Sequence, residues 1–214
     1  MKISIVIAAY NADSFIERCL RSCLDQSIPS HEYEIIVVDD GSCDNTAKIL
    51  ANYIDDIKII QNESNMGLPY SANAGIQAAK AQYVVRVDSD DYIHKEFLNI
   101  GYLFLSLNHD FDSVCVDYYL VDEKGNIIQR KNSAQEPIAC GIFYRKEYLV
   151  NVGLYDSKFL IHEDKEFRIR FDKKYKIERI PLPLYRYRMH DNNITKKAYE
   201  SAYYESMLQK KHFK

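Results

Sequence analysis

Val84-Val85-Arg86-Val87-Asp88-Ser89-Asp90-Asp91 is a run of strand formers that ends abruptly in three carboxylates. Neighbouring β-branched residues read as a buried parallel strand, and Asp and Ser are poor strand residues, so the strand stops at Asp88. In an open α/β sheet, ligands bind in the crevice beyond the carboxyl ends of the strands. Carboxylates crowded there repel one another unless a cation joins them. Mg²⁺ or Mn²⁺ suits the place, because both take oxygen ligands and bridge to phosphates. The alternative is a solvated acidic turn that caps the following helix. The rest of the chain decides between them.

Upstream, Ile3 to Tyr10 is almost entirely apolar and reads as a central strand, broken at Asn11-Ala12-Asp13. Asp13 is placed to cap a helix carrying Phe15, Ile16, Cys19, Leu20 and Cys23 at helical spacing. Tyr33 to Val38 reads as a second strand ending in Asp39-Asp40-Gly41-Ser42, with a helix from Asp44-Asn45-Thr46 to about Ile54. Ile57 to Gln61 is a short third strand, and Asn65-Met66-Gly67 is a turn. Pro69 suits the first turn of a third helix, whose Ala72, Ala74, Gly75 and Ala78 permit close packing on a sheet. Tyr83 to Val87 is the fourth strand. Such alternation predicts a parallel sheet wound with helices. The strand ends Tyr10-Asn11, Asp39-Asp40 and Asp88 to Asp91 are therefore expected on one edge.

Downstream, the pattern becomes mixed. Phe97 to Leu107 reads as an amphipathic helix, and Val114 to Val121 with Ile127 to Arg130 as a hairpin around Glu123-Lys124-Gly125-Asn126. A strand is expected over Ile138 to Tyr144, and helices over Lys146 to Val152 and Glu163 to Phe171. Ile177 to Ile180 and Leu184 to Arg188 read as two short strands separated by Pro181 and Pro183. From Thr195 the chain reads as a basic amphipathic helix, with Lys196, Lys197, Lys210, Lys211 and Lys214 beside Tyr199, Tyr203, Tyr204, Met207, Leu208 and Phe213.

Bulk composition narrows the function classes. The 214 residues are 47% hydrophobic and 28% charged, as in an ordinary globular domain. With 28 basic against 31 acidic residues the net charge is −3, which leaves no electrostatic footprint for nucleic acid. The five cysteines form no CxxC pair and read as buried thiols in a reducing compartment. No stretch is long enough for a transmembrane helix, and the first apolar run lacks a cleavage site. The expected location is cytoplasmic, with peripheral membrane contact through the basic C-terminal segment.

In sequence order, Ser4-Ile-Val-Ile-Ala-Ala-Tyr10-Asn11, Val38-Asp39-Asp40-Gly41-Ser42, Asn65-Met-Gly67, Asn73-Ala-Gly75 and Asp88-Ser-Asp90-Asp91 resemble the family 2 glycosyltransferases. The resemblance is close over the first ninety-odd residues and looser to about His190. It implies an α/β fold of GT-A type: a mostly parallel Rossmann-like sheet flanked by helices, with a small mixed β/α acceptor-side region. Residues 1–92 would form the nucleotide-sugar half, 93–194 the acceptor half and 195–214 the C-terminal segment. The implied donor is a nucleotide sugar, a UDP-sugar by default, with Mn²⁺ or Mg²⁺ as cofactor. Ala8, Tyr10, Asn11 and Asp39 would hold the base. A tyrosine can stack on a base, and a carboxylate can accept from an imino N–H. Asn65, Gly67, Asn73 and Ser89 fall on the donor side; Asp88 matches a ribose- or metal-contacting position, and Asp90 matches the metal-ligating carboxylate. Asp91 reads as a helix cap or a supporting group. His190 matches a position near the metal, and imidazole suits Mn²⁺ better than Mg²⁺. Ala72 stands where the family often has Arg; Arg86 either supplies that charge near the phosphates or serves as a structural ion-pair partner.

Inverting transfer needs a carboxylate to take the proton of the acceptor hydroxyl. Leu160-Ile161-His162-Glu163-Asp164-Lys165-Glu166 resembles the family's Glu-Asp motif, which implies Asp164 as base with Glu163 or Glu166 in reserve. Val152-Gly153-Leu154-Tyr155-Asp156 resembles its Gly-Gly-Phe-Asp segment, with Leu154 replacing one glycine. The chain has no Trp, so it lacks the Gln-x-x-Arg-Trp motif of processive synthases. Single addition to a glycan, lipid-linked or protein acceptor is expected, in bacterial surface-glycan or lipopolysaccharide synthesis. A sugar-nucleotide pyrophosphorylase would want a Gly-rich basic loop after the first strand, and Ala8 to Phe15 has neither glycine nor base. A non-catalytic nucleotide-sugar-binding protein would bind donor without turnover, and the intact acid set argues against it.

Overall fold

The computed structural model describes residues 1–190 and 198–213, of which 198–201 by backbone alone. Parallel strands β1 (Ile3–Ala9), β2 (Tyr33–Asp39), β3 (Lys58–Gln61) and β4 (Tyr83–Arg86) form one side of a mixed sheet. Helices α1 (Ile16–Leu24), α2 (Thr46–Ala51) and α3 (Leu68–Ala78) connect them. The second half adds β5 (Tyr92–Ile93), α4 (Phe97–Leu107), β6 (Ser113–Val121), β7 (Ile127–Lys131) and β8 (Ile142–Arg145). It continues through α5 (Lys146–Val152), α6 (Glu163–Phe171), β9 (Ile177–Arg188) and α7 (Ala198–His212). Spatial order is β3-β2-β1-β4-β8-β6-β9-β5, with β7 paired to β6 where β8 ends.

Strand periodicity splits the core into two layers. Ile3, Ile5 and Ile7 of β1 and Ile35 and Val37 of β2 face α1 and α4, whose Ile16, Leu20, Phe97 and Leu98 are fully buried. Val6 and Ile36 face the other way, toward Ala72 and Ile76 of α3, in a layer shared with Phe167 and Phe171 of α6. The small residues of α3 bring it close to β1: a Cβ on Gly75 would lie 2.4 Å from Val6 Cγ1.

Several local expectations give way to tertiary structure. Asp13 does not cap α1, which begins at Ile16; its carboxylate accepts from Asn45 instead. The second helix ends at Ala51, and the strand expected from Ile138 begins only at Ile142. Asp91 caps no helix, because β5 follows it and α4 starts at Phe97. Ile177 to Arg188 is one strand, parallel to β6, with register shifts around Asp117 that absorb Pro181 and Pro183. The basic C-terminal helix docks through buried Leu208 and a Tyr204–Phe159 ring contact. Thr195, Lys196, Lys197 and Lys214 lie outside the described residues. Among the described residues, no helix is long and apolar enough to cross a membrane.

Asp117 at that irregularity is 1% exposed. It accepts from Arg179 Nε at 2.7 Å, Arg179 Nη2 at 2.6 Å and Arg130 Nη2 at 2.9 Å. Burial pushes its carboxyl up, but the Arg179 and Arg130 hydrogen bonds win and hold its pKa down to about 2. A carboxyl depressed in the folded state stabilises it above the unfolded value of 3.8, and the contribution is lost as pH falls toward 2. That displacement is worth about 2 kcal/mol. Asp117→Asn is therefore expected to lose about 2–3 kcal/mol in urea unfolding at pH 7. The gap to wild type closes between pH 4 and pH 2.

Candidate active site

The parallel register brings β1, β2 and β4 to one edge with their carboxyl ends together: Ala9 pairs with Asp39, and Val6 with Arg86. Tyr10 leaves that edge 46% exposed, which rules out a core role for its ring. Asn11 takes a left-handed conformation, φ 48°. Its N–H donates to Ser42 Oγ at 3.0 Å, and its Oδ1 accepts from the Cys43 N–H at 2.8 Å, tying the first strand end to the second. Ala8 is half-buried within β1.

The two adjacent acids at the carboxyl end of β2, Asp39 and Asp40, divide their work. Asp39 Oδ1 accepts from the Ser42 N–H at 3.0 Å, while its buried Oδ2 has no hydrogen-bond partner among the described residues. An unpaired buried carboxylate oxygen is costly. It offers an acceptor to an imino N–H or another small donor. Asp40 is spent on structure, accepting from Asn62 Nδ2 at 2.7 Å, Met66 N–H at 2.9 Å and Gly67 N–H at 2.8 Å. It thereby shapes the Asn65–Gly67 turn, where Asn65 Oδ1 also accepts from Gly67 N–H at 3.0 Å. Gly67 has φ 91°, and a Cβ there would strike Leu160. Asn73 is turned away from this edge: its side chain gives and takes hydrogen bonds with the Tyr155 backbone at 2.8 and 3.0 Å.

At the end of β4 the acids separate by environment. Asp90 Oδ2 lies 2.7 Å from His190 Nε2, and the His190 ring packs on Phe15. Asp88 and Ser89 are partly exposed beside them. Asp91 is buried, with Oδ2 accepting from the Tyr185 hydroxyl at 2.7 Å and Oδ1 from the Arg188 N–H at 2.8 Å. Burial, then the nearby Asp90 and Asp88 charges, push its carboxyl well up. Tyr185 also accepts the Asp88 N–H at 3.1 Å, so Asp91 is the strut beneath the loop. Asp88, Asp91 and Cys140 could approach a common ion, their ligand atoms lying within 4.8 Å. Both Asp91 oxygens are already engaged, however, and a hard cation favours oxygen over thiol. Asp90 and His190, 2.7 Å apart, offer a carboxylate oxygen and an imidazole nitrogen, donor types that Mn²⁺ accepts.

Arg86 is 5% exposed and joins two parts of the site. Its guanidinium lies 3.1 Å from Asp88 Oδ1 and 3.1 Å from Glu163 Oε1, over the Tyr155 ring. The ion-pair alternative for Arg86 thus describes its geometry, and the pairing links β4 to the start of α6. Glu163 is buried; desolvation raises its pKa to about 7 against the opposing pull of Arg86. Asp164 follows it on the first turn of α6, half-buried, beside a cavity of about 90 Å³ lined by Tyr144, Tyr155, Lys165 and Arg168. Glu166, the other reserve acid, is fully buried against Arg170, Lys211 and His212, which removes it from contact with an acceptor. Leu154, at the position of a family glycine, keeps the left-handed backbone, φ 58°.

Sequence reasoning did not single out Asp40, Tyr155, Tyr185 or Arg188. Asp40 had no signal beyond its acid neighbour. The Tyr185 and Arg188 roles depend on β9 passing under the β4 loop, which no local pattern reveals.

Comparison with known proteins identifies the family. The model of glycosyl transferase family 2 matches residues 4–193. A poly(ribitol-phosphate) beta-glucosyltransferase of Bacillus spizizenii is 43% identical over 112 residues, half of this chain and 18% of the relative. The poly(ribitol-phosphate) beta-N-acetylglucosaminyltransferase TarS of Staphylococcus aureus is 36% identical over 128 residues, 58% of this chain and 21% of TarS. The chain thus spans about a fifth of these relatives' lengths. The crystal structure of S. aureus TarS 1-349 with UDP-GlcNAc superposes with a TM-score of 0.81 at 25% identity, covering 93% of this chain and 62% of that one. A Pyrobaculum calidifontis mannosyltransferase in complex with GDP-Man and Mn²⁺ shares the fold, with a TM-score of 0.76 at 16% identity over 98% of this chain and 63% of that one. A nine-stranded, half-parallel sheet with its acids gathered at one edge, matched over nearly its whole length by one family model, makes this chain a member of glycosyl transferase family 2 with the GT-A fold.

Proposed function

We propose that this chain transfers a sugar, with inversion, from a nucleotide-sugar donor to an acceptor hydroxyl, one addition at a time. The observation that carries the proposal is the juxtaposition at one sheet edge. There, Asp39 offers an unpartnered buried oxygen, Asp90 meets His190 at 2.7 Å, and Arg86 ties Asp88 to the Glu163-Asp164 segment. In this reading Tyr10 stacks on the base, Asp39 accepts its imino N–H, and Asn11 and Ala8 shape the pocket floor. UDP is the expected carrier, as in the TarS complex with UDP-GlcNAc. Asp90 and His190, with Asp88, would hold Mn²⁺ or Mg²⁺. That ion would supply positive charge to a departing diphosphate.

Asp164 takes the acceptor proton as the hydroxyl oxygen attacks the anomeric carbon. The bond to the diphosphate breaks with its electron pair, and the configuration at carbon inverts. Glu163 stays paired with Arg86 and keeps Asp164 on the cavity side of the helix. A surface glycan or a poly(polyol phosphate), as in the names of the relatives, is the acceptor class in view. The test is nucleoside diphosphate release from a panel of UDP-, GDP- and dTDP-sugars with Mn²⁺. Release from one member supports the proposal, and silence across the panel rejects it.

Burial raises Asp88, Asp91 and Glu163 together. Carboxyls raised in the folded state bind protons there more tightly than when unfolded, so stability falls as pH rises from about 4.5 toward 7. The melting temperature is therefore expected to drop between pH 5 and pH 8. Mn²⁺ is expected to raise it more at pH 8, where it meets ionised carboxylates, than at pH 5. Scanning calorimetry at both pH values reads the difference; an equal Mn²⁺ effect would contradict it.

A further inference from the structure

The segment that carries Asp164 is held from a distant part of the chain. Glu166, two residues after Asp164, is fully buried yet accepts from four groups. Arg170 Nε approaches its oxygens at 2.9 and 3.0 Å and Nη2 at 2.6 Å. Lys211 Nζ of α7 lies 2.7 Å from Glu166 Oε1, and His212 Nε2 lies 3.0 Å from the same oxygen. Lys211 also donates to Asp156 Oδ2 at 2.7 Å, and its ammonium sits over the Phe159 ring. Glu205 of α7 pairs with Lys165 at 3.6 Å. These contacts bracket Asp164: Asp156 and Phe159 lie before it, Lys165 and Glu166 after it.

The bracketed segment needs holding. Leu154 and His162 both take left-handed backbone conformations without being glycine, φ 58° and 65°. Such conformations persist only where the surroundings over-determine them. Arg170 supplies part of that, donating to the Val152 and Leu154 carbonyls while Glu166 holds its guanidinium. Asn73 clamps Tyr155 through two backbone hydrogen bonds. Within that stretch, Lys211 of α7 adds an ionic tether to Asp156 at 2.7 Å.

We propose that α7 is a latch for the candidate base, with Lys211 as its positioning residue, drawing Asp156 and Glu166 together and thereby fixing the segment that presents Asp164. The proposal rests on Asp164 being the base. Lys211 itself touches neither donor nor acceptor. Its removal acts on the orientation of the proton-accepting carboxylate and leaves the nucleotide pocket at β1 and β2 as it was.

The test compares the wild-type chain, Lys211→Met, Lys211→Arg and Asp164→Asn, using the panel nucleotide sugar that wild type turns over fastest, with Mn²⁺. Lys211→Met is expected to lower kcat about tenfold to a hundredfold, the scale of a small misplacement of a reacting group. KM for the donor should stay within about twofold, and Lys211→Arg should recover most of the loss. Backbone amide exchange of residues 156–163 should rise in Lys211→Met and not in β1 to β4. A helix that merely adds stability would lower the melting temperature and leave kcat of the folded enzyme unchanged; that result overturns the latch, as does unchanged exchange. If Asp164→Asn keeps wild-type kcat, the base assignment has failed and the latch with it. If Asp164→Asn is inactive while Lys211→Met is normal, only the latch has failed. Should Lys211→Met not fold, Asp156→Asn removes one leg of the tether and is read by the same two measurements.

Discussion

Asp164→Asn is expected to lower kcat for sugar transfer by about 10²- to 10⁴-fold while donor affinity stays at its wild-type value. The substitution keeps the shape of the side chain and removes its ability to take a proton. No neighbouring carboxylate can take over. Glu163 is buried and paired with Arg86 at 3.1 Å, and Glu166 is closed off by Arg170 and Lys211. Asp164 alone of the three acids in the first turn of α6 is partly exposed beside the cavity. Single-turnover kinetics with donor binding measured separately decides the matter. A wild-type kcat in the variant would remove Asp164 from the mechanism.

Asp90→Asn is the second large effect: a loss of about 10³-fold or more in kcat/KM, recovered only in part by raising Mn²⁺. An amide oxygen remains, but the negative charge that would hold a divalent cation is gone. His190 stands 2.7 Å from Asp90 on the same rim, so His190→Ala is expected to weaken Mn²⁺ activation by about tenfold to a hundredfold. The fold should survive both changes, because Asp91, not Asp90, carries the buried hydrogen bonds to Tyr185 and Arg188. Manganese titration of initial rates separates the two outcomes. Unaltered metal dependence in Asp90→Asn would place the ion elsewhere.

Much of the first half was legible because local pattern and tertiary role coincide there. Alternating strands and helices force a parallel sheet, and a parallel sheet puts the ends of β1, β2 and β4 on one edge whatever the side chains do. The acids at those ends could therefore be brought together on paper. Choosing among adjacent acids was harder. Asp39 keeps an open oxygen while Asp40 folds into the Met66–Gly67 turn, and the difference lies in the direction each side chain takes from the strand end. Asp91 read as either a helix cap or a supporting group, and its partners in β9, roughly a hundred residues on, make it the second.

The second half was less legible for the same reason. Pro181 and Pro183 punctuate the sequence as breaks, and only the shifted partner strand β6 lets β9 run through them. Arg86 meets Glu163 across 77 residues, so its pairing is a property of the fold rather than of any motif. Glu166 looked as available as its neighbours until α7 closed over it.

Titration calorimetry of the intact chain with UDP, GDP and dTDP, with and without Mn²⁺, tests the central claim most directly. The account predicts that one nucleoside diphosphate binds, that Mn²⁺ tightens it at least tenfold, and that Asp39→Ala weakens the nucleotide while Asp90→Asn abolishes the metal effect. Binding that ignores Mn²⁺ and both substitutions, or no heat from any of the three nucleotides, would contradict it.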